Sequence, residues 1–434
     1  MGKNTILDKI LIALTLLYLV FYQASYIVAQ DIGYAREAVR TLCSDSMKGR
    51  GYVDNGDRTA AHFLAEEFKK AGLKKYAKTY FQSFTTPVNS FPGSMSMSVN
   101  GKLLKPGEDF LVDPGSPGVS GKFNVEVLNA EDLLKDDWPE KIKIASSKFI
   151  VINTYDKTKY TADQIKRLNE IIAFLKYSNE NPARGTVVLT TEKLTWSGSV
   201  EVFSKPTFII KTNSLQDPIT TIEVSVENKY IKKYQTQNVI GCIEGVQKDS
   251  LLVFTAHYDH LGMMGKETMF PGANDNASGV AFLLSLVKHY ASVKPKYTLV
   301  FIAFAGEEIG LIGSKFFTEH PVFPLSKIKF LLNFDMAGTG EDGIQIVNGK
   351  IYQQKFDLIT RLNEQDKLLK QVKSRGEACN SDHCMFHTKG VPCFFIYTLG
   401  GIQAYHDIYD RPETLPLTEF EDYFKLVVSF ISKL

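Results

Sequence analysis

What this sequence of 434 residues lacks first is a surplus of charge: 50 Lys and Arg stand against 48 Asp and Glu, a formal net charge of +2. With no basic excess there is no electrostatic footprint for a phosphate backbone, so nucleic acid is excluded as a partner. Cysteine is scarce, five in all, which excludes a small fold stapled by disulfides. Hydrophobic residues at 44% and charged residues at 23% are ordinary fractions, so the chain is neither disordered, collagenous nor a multi-span membrane protein. The length suits one large or two moderate domains, with a core big enough to hold a site.

One long uncharged run is present, Ile10 to Gln30, preceded by Lys3 and Lys9. A basic head and an apolar stretch ending in small residues read as a secretory signal occupying residues 1–30, cleaved near Ala29 or Gln30. The 21 uncharged residues also suffice to span a bilayer, so an uncleaved N-terminal anchor is the competing reading. Gln23, Ser25 and Gln30 dilute the second half and favour cleavage. Either way the bulk of the chain is expected to be exported. Cys379 and Cys384 are near enough in sequence to pair, whereas Cys242 and Cys393 sit in apolar runs and read as buried thiols.

Residues 59–72 predict an amphipathic helix, with Ala60, Phe63, Leu64 and Phe68 at helical spacing and Gly72 placed to stop it. The Gly/Pro/Ser-rich passage 113–121 is no phosphate loop, because Phe123 stands where a hydroxyl residue is required; it reads as a linker. From 122 to 215, short strands at 149–155, 186–191 and 206–212 surround one helix at 162–178. That is an inserted α/β unit without chemistry of its own, framing a site elsewhere, between a lead-in at 31–121 and a catalytic domain at 216–434. After residue 235, apolar runs at 251–256, 298–304, 330–335 and 393–397 alternate with helices at 277–291, 310–319 and 352–364. Such alternation predicts an α/β fold with a mostly parallel central sheet and helices on both faces. Ligands then collect beyond the carboxyl ends of the strands.

Reading off those strand ends gives His257 and Asp259, Asp275 in GANDNASG, Glu307 and Glu308 in AGEEIG, Asp335 in NFDMAG, and late in the chain His406 in AYHDIYD. Carboxylates and imidazoles in one crevice repel severely unless cations are present. Nitrogen and oxygen ligands without thiolate fit two borderline divalent ions, zinc first, with cobalt or manganese as substitutes. Two metals sharing a carboxylate activate a water and polarise a carbonyl together. The reaction then needs one carboxylate that is not a ligand to take the proton, and the adjacent Glu307 and Glu308 supply such a pair.

The blocks HYDHLG, GANDNASG, AGEEIGLIGS, NFDMAG and AYHDIYD, in this order, resemble the M28 metallopeptidases, the co-catalytic zinc aminopeptidases. The resemblance covers about 235–434 and a lead-in at 43–86. It implies a zinc-exopeptidase type of sheet in which His257 binds one zinc, Asp275 bridges both, Glu308 and Asp335 complete the separate shells, and His406 binds the second. It further implies Glu307 as general base, Asp259 as the acid that orients His257, Tyr405 as a donor to the tetrahedral oxyanion, and a cis peptide at Asp275–Asn276. In strand rhythm the insertion resembles the protease-associated domain that several members carry.

The implied activity is removal of residues from the free amino end of peptides. Two readings stand beside it. Glutaminyl cyclases share the fold but generally work with one zinc, against which the five-ligand set argues. A receptor-like relative with a decayed site is opposed by intact ligands and base. His260, so near His257, is expected either behind the metal ligands as their support or at the rim; His383 and His387 either line the specificity pocket or belong to a surface loop. His62, His289 and His320 read as structural. Asp410 is expected to hydrogen-bond His406 rather than cap the turn before Pro412. The sole N-glycosylation sequon, Asn276-Ala277-Ser278, lies in the metal loop. A glycan there would block the site, which favours a bacterial periplasmic or secreted enzyme.

Overall fold

The computed structural model describes residues 32–76, 78–215 and 217–434; the expected signal or anchor at 1–30 lies outside the described residues. Among the described residues, no helix is long and apolar enough to cross a membrane.

The runs that are apolar on nearly every residue become the centre of an eight-stranded sheet. Its strands are β1 (Phe81–Ser90), β2 (Lys229–Ile243), β3 (Gln247–His257), β4 (Tyr297–Phe304), β5 (Ile328–Phe334), β6 (Ile344–Val347), β7 (Val372–Ser374) and β8 (Cys393–Thr398). They lie in the order β1-β2-β4-β3-β5-β8-β6-β7. The central β4-β3-β5-β8 set is parallel, with Val253 of β3 between Val300 and Leu331. The flanks β1-β2, β2-β4 and β8-β6 are antiparallel. Parallel strands must be covered on both faces, and they are. The helix Gly279–Tyr290 lies buried over one face, with Phe282 stacked on Tyr423 of the C-terminal helix Phe420–Ser432. On the other face Phe304, Phe317, Phe323 and Phe386 form a second core.

The helix expected at 59–72 forms as Gly56–Lys70, starting earlier because Asn55 adopts φ 59 and turns the chain there. Ala60, Leu64 and Phe68 are buried, and Phe68 packs over Gly241 of β2, where a Cβ would come within 2.9 Å of its ring.

The second eight-stranded sheet draws on both sides of the 122–215 segment. Its order is Lys102–Leu104, Met95–Val99, Thr221–Val226, Val119–Leu128, Phe149–Ile152, Gly185–Thr190, Thr207–Lys211, Phe110–Val112. The reason is the ten-residue strand Val119–Leu128. Its first half pairs antiparallel with Thr221–Val226, and its second half pairs parallel with Phe149–Ile152. Two different partners on one strand recruit residues well beyond the local pattern. The passage 113–121 is accordingly not a linker: Asp113 and Ser116 are buried, and the strand has begun by Val119. The apolar core of this sheet, including Phe110 and Phe208, continues into Leu261, Met264, Phe270 and Ile408 from loops around the first sheet. The two sheets therefore share an apolar junction beside the strand ends that carry the polar cluster.

Candidate metal centre

His257 ends β3 with its ring buried, and Nδ1 lies 3.1 Å from the backbone oxygen of Asp259. A carbonyl only accepts, so Nδ1 carries the proton and Nε2 is left with its lone pair. Nε2 stands 3.3 Å from Asp335 Oδ1 and 3.4 Å from Asp275 Oδ1. Asp335 follows the last residue of β5, and its second oxygen accepts from Ser381 Oγ at 2.9 Å. Ser381 in turn accepts from Asn333 Nδ2 at 2.8 Å, and Thr255 Oγ1 donates to Asn333 Oδ1 at 2.6 Å. This polar chain runs from β3 to β5 inside an apolar core and fixes both strand ends in register.

Asp275 precedes the helix Gly279–Tyr290, on a loop held by neighbours rather than by its own ladder. Asn276 Oδ1 accepts from Gly279 N and Met336 N, while Nδ2 donates to Phe334 O. The Asp275–Asn276 peptide is cis, as the resemblance implied. Asp275 Oδ2 is 3.1 Å from His406 Nε2, and Glu308 Oε2 is 3.2 Å from the same nitrogen. His406 Nδ1 lies 3.0 Å from Trp196 O. The residue itself has φ 54, a left-handed conformation costing about 1–2 kcal/mol for an L residue.

Two groups of candidate ligand atoms result, with Asp275 in both: His257 with Asp335, and His406 with Glu308. Ligand atoms bonded to one tetrahedral zinc at about 2.0–2.1 Å stand about 3.3–3.4 Å apart. The nitrogen–oxygen separations of 3.1–3.4 Å match that spacing. Glu307 lies on the His257 side, near Asp335. The donor set fits borderline divalent ions.

The electrostatics agree. Burial works against a charged His257, yet Asp335, Glu307 and Asp275 hold its pKa well above the usual imidazole range. Burial likewise opposes protonation of His406, but Glu308 and Asp275 push it up to about 11. Burial, then Glu308 and Asp335, raise Glu307 well above an ordinary carboxyl. The cluster carries surplus negative charge and takes up protons wherever no other cation neutralises it.

Asp259 differs from the expected arrangement. Its carboxylate stands 3.9 Å from His257 Nδ1, beyond hydrogen-bond reach, and its backbone oxygen orients the imidazole instead. The carboxylate accepts from Glu307 N at 3.1 Å, Glu308 N at 3.4 Å and Tyr52 OH at 3.4 Å. It anchors the segment bearing both glutamates. Burial pushes its pKa up to about 7.

Arg50 is the residue that sequence reasoning passed over. Fully buried, it donates from Nε to Tyr258 O at 2.8 Å, from Nη1 to Leu42 O at 2.9 Å and Pro271 O at 2.7 Å, and from Nη2 to Gly272 O at 2.7 Å. One guanidinium therefore ties together the loops that carry His257 and Asp275. Gly51 and Gly262 cross so closely that a Cβ on Gly51 would lie 2.4 Å from Gly262 Cα. The glycines flanking Arg50 in KGRG were the visible signal of this close approach.

Other expected residues fall in mixed places. Tyr405 is half exposed, lines the cleft, and stacks on His406 at 4.0 Å. Of its two expected places His260 takes the one behind the ligands: it is buried, with Nδ1 2.6 Å from Glu308 Oε1. Asp410 does not bond His406: its two oxygens accept from Asn274 N and Asp275 N at 2.8 and 2.9 Å, because the metal loop has unpaired amides there. His383 is buried against Ala378 O and His387 meets Tyr352 OH, and neither lines the cleft. Cys379 and Cys384 are bonded, and the loop between them supplies Asn380 to the cleft and Ser381 to Asp335. Cys43, Cys242 and Cys393 are free and buried. The sequon's Asn276 is buried as well. The cleft has a volume of about 280 Å³ and Met336, Phe395 and Tyr397 on its apolar wall.

A parallel-centred α/β sheet with an imidazole–carboxylate cleft beyond its strand ends is the architecture of a metal-dependent hydrolase. Residues 238–431 match Peptidase family M28. Aminopeptidase YwaD of Bacillus subtilis (strain 168) is 29% identical over 174 residues, 39% of this chain and 37% of that protein's length. A probable leucine aminopeptidase of Trichophyton verrucosum (strain HKI 0517) is 29% identical over 358 residues, 76% of this chain and 83% of that one. The structure of BSAP, a zinc aminopeptidase from Bacillus subtilis, superposes with a TM-score of 0.68 at 19% identity, covering 92% of this chain and 94% of that one. This last likeness is one of fold, and it extends over both sheets.

Proposed function

We propose that the chain is an exported di-zinc aminopeptidase that removes residues from the free amino end of peptides. The observation that carries this reading is the Asp275 carboxylate, which turns one oxygen to each imidazole, 3.4 Å from His257 and 3.1 Å from His406. A carboxylate shared between two nitrogen donors is the arrangement that two neighbouring cations require. Asp335 completes the His257 side and Glu308 the His406 side. Metallopeptidase relatives named for zinc and for aminopeptidase activity support the choice of metal and substrate. The leader-like residues 1–30 support a periplasmic or secreted location.

Zinc held by His257, Asp275, Asp335, Glu308 and His406 would supply an activated water and polarise the scissile carbonyl. Glu307, raised in pKa and held at its backbone by Asp259, takes the proton of the attacking water and delivers it to the leaving amine. Tyr405 donates its hydroxyl to the oxyanion from the cleft wall. A cleft of about 280 Å³ suits one end residue better than an extended chain.

A panel of aminoacyl-chromophore substrates, read with chelator and after zinc re-addition, tests this. Hydrolysis should vanish with chelator, return with zinc, and fail on N-acylated analogues. A Gln-initiated peptide that loses ammonia without being cleaved would overturn the reading in favour of a cyclase.

A further inference from the structure

The second sheet reaches the metal centre through one stretch, Lys193–Gly198. Within it Trp196 exchanges two hydrogen bonds with His406: Trp196 N donates to His406 O at 2.9 Å, and His406 Nδ1 meets Trp196 O at 3.0 Å. Because the carbonyl can only accept, the proton sits on Nδ1 and Nε2 presents its lone pair toward Asp275 and Glu308.

Two anchors seat the stretch. The Trp196 ring is buried and stacks on Phe270 at 4.9 Å, while Nε1 donates to Val112 O at 2.7 Å. Phe270 belongs to a short hairpin outside the second sheet and Val112 to the sheet itself, so the ring bridges the junction. Lys193 Nζ reaches Gln403 O at 2.6 Å and Asp407 Oδ2 at 2.7 Å, one on each side of Tyr405 and His406. Asp407 is itself fixed, since Oδ1 accepts from Tyr409 N at 2.8 Å. The segment 401–411 has no strand or helix of its own, and His406 is in a left-handed conformation. Its position comes from outside.

The other imidazole is held differently. His257 ends a central strand, and its Nδ1 is oriented by a carbonyl two residues on in the same loop. The two nitrogen ligands thus have unequal support, one from within the peptidase sheet and one from the inserted unit.

We propose that the inserted unit is a working part of the metal centre: the Lys193–Trp196 strap sets the tautomer and position of His406, and occupancy of the metal position on the His406 side depends on it. Lys193 and Trp196 are positioning residues, acting through His406 without touching substrate. The inference rests on His406 being a ligand.

Zinc titration of the full chain against a competing chelator, resolved into two steps, tests this with Lys193→Met, Lys193→Arg, Trp196→Ala and His406→Ala. Outer partners of metal-bound histidines are typically worth about 10- to 100-fold in affinity. Lys193→Met should weaken one zinc about tenfold and leave the other unchanged. Lys193→Arg should restore most of that loss. Trp196→Ala should weaken the same zinc at least as much as Lys193→Met does. Equal weakening of both zincs, or unchanged isotherms in both Lys193→Met and Trp196→Ala, would overturn the proposal. His406→Ala separates the two levels. Loss of one zinc there upholds the ligand reading, whereas two intact sites would sink that reading and the strap with it.

Discussion

Replacing Arg50 by Lys keeps the charge and removes the fork. In the folded protein four carbonyls, those of Leu42, Tyr258, Pro271 and Gly272, accept from three guanidinium nitrogens at 2.7–2.9 Å. A lysine ammonium has three donors on one atom, so at least one of the four buried carbonyls loses its partner. A hydrogen bond to a charged group is worth about 1.5–3 kcal/mol, and a stranded buried acceptor costs about 1–3 kcal/mol. The variant should therefore lose about 2–4 kcal/mol of stability, read by urea unfolding of the metal-free protein. Because Tyr258 adjoins His257 and Gly272 leads into the Asp275 loop, part of that loss should reappear as weaker zinc binding. At about 1.4 kcal/mol per decade, a tenfold drop in affinity uses roughly half of it. An unfolding free energy within about 0.5 kcal/mol of wild type, with zinc bound normally, would refute the clamp, since that is the effect of an ordinary surface substitution.

Two further substitutions separate roles within the cleft. Glu307→Gln removes the proposed base but not the volume, so turnover should fall at least about 100-fold while zinc content stays at the wild-type level; retained turnover counts against the assignment. Asp259→Asn faces an amide group toward the Glu307 or Glu308 N–H. It should lower kcat about 10- to 100-fold with both zincs retained, because His257 is oriented by the backbone carbonyl and not by the side chain. Loss of a zinc with kcat intact at saturating metal would instead return Asp259 to the imidazole.

What the sequence determined by itself was periodic and local. Continuous apolar runs at 251–256, 298–304, 330–335 and 393–397 became β3, β4, β5 and β8 with ends shifted by a few residues. Strand periodicity survives translation into structure because a strand buried on both faces admits little else. The candidate ligands were legible for a related reason: parallel strands all end on one side, so polar residues at their carboxyl ends converge whatever lies between.

Tertiary structure alone decided the contacts between distant segments. No periodicity marks Arg50, whose carbonyl partners come from a helix end and from loops more than 200 residues away, or Trp196, whose carbonyl meets a histidine 210 residues later. The second sheet ran from Met95 to Val226 because one strand changed partners midway, which composition does not record. Asp410 went to the amides of Asn274 and Asp275 and Asp259 to those of Glu307 and Glu308, since buried N–H groups take the nearest acceptor the fold provides. Side-chain chemistry identifies which residues can bind a metal; backbone groups brought together by folding fix where those residues point.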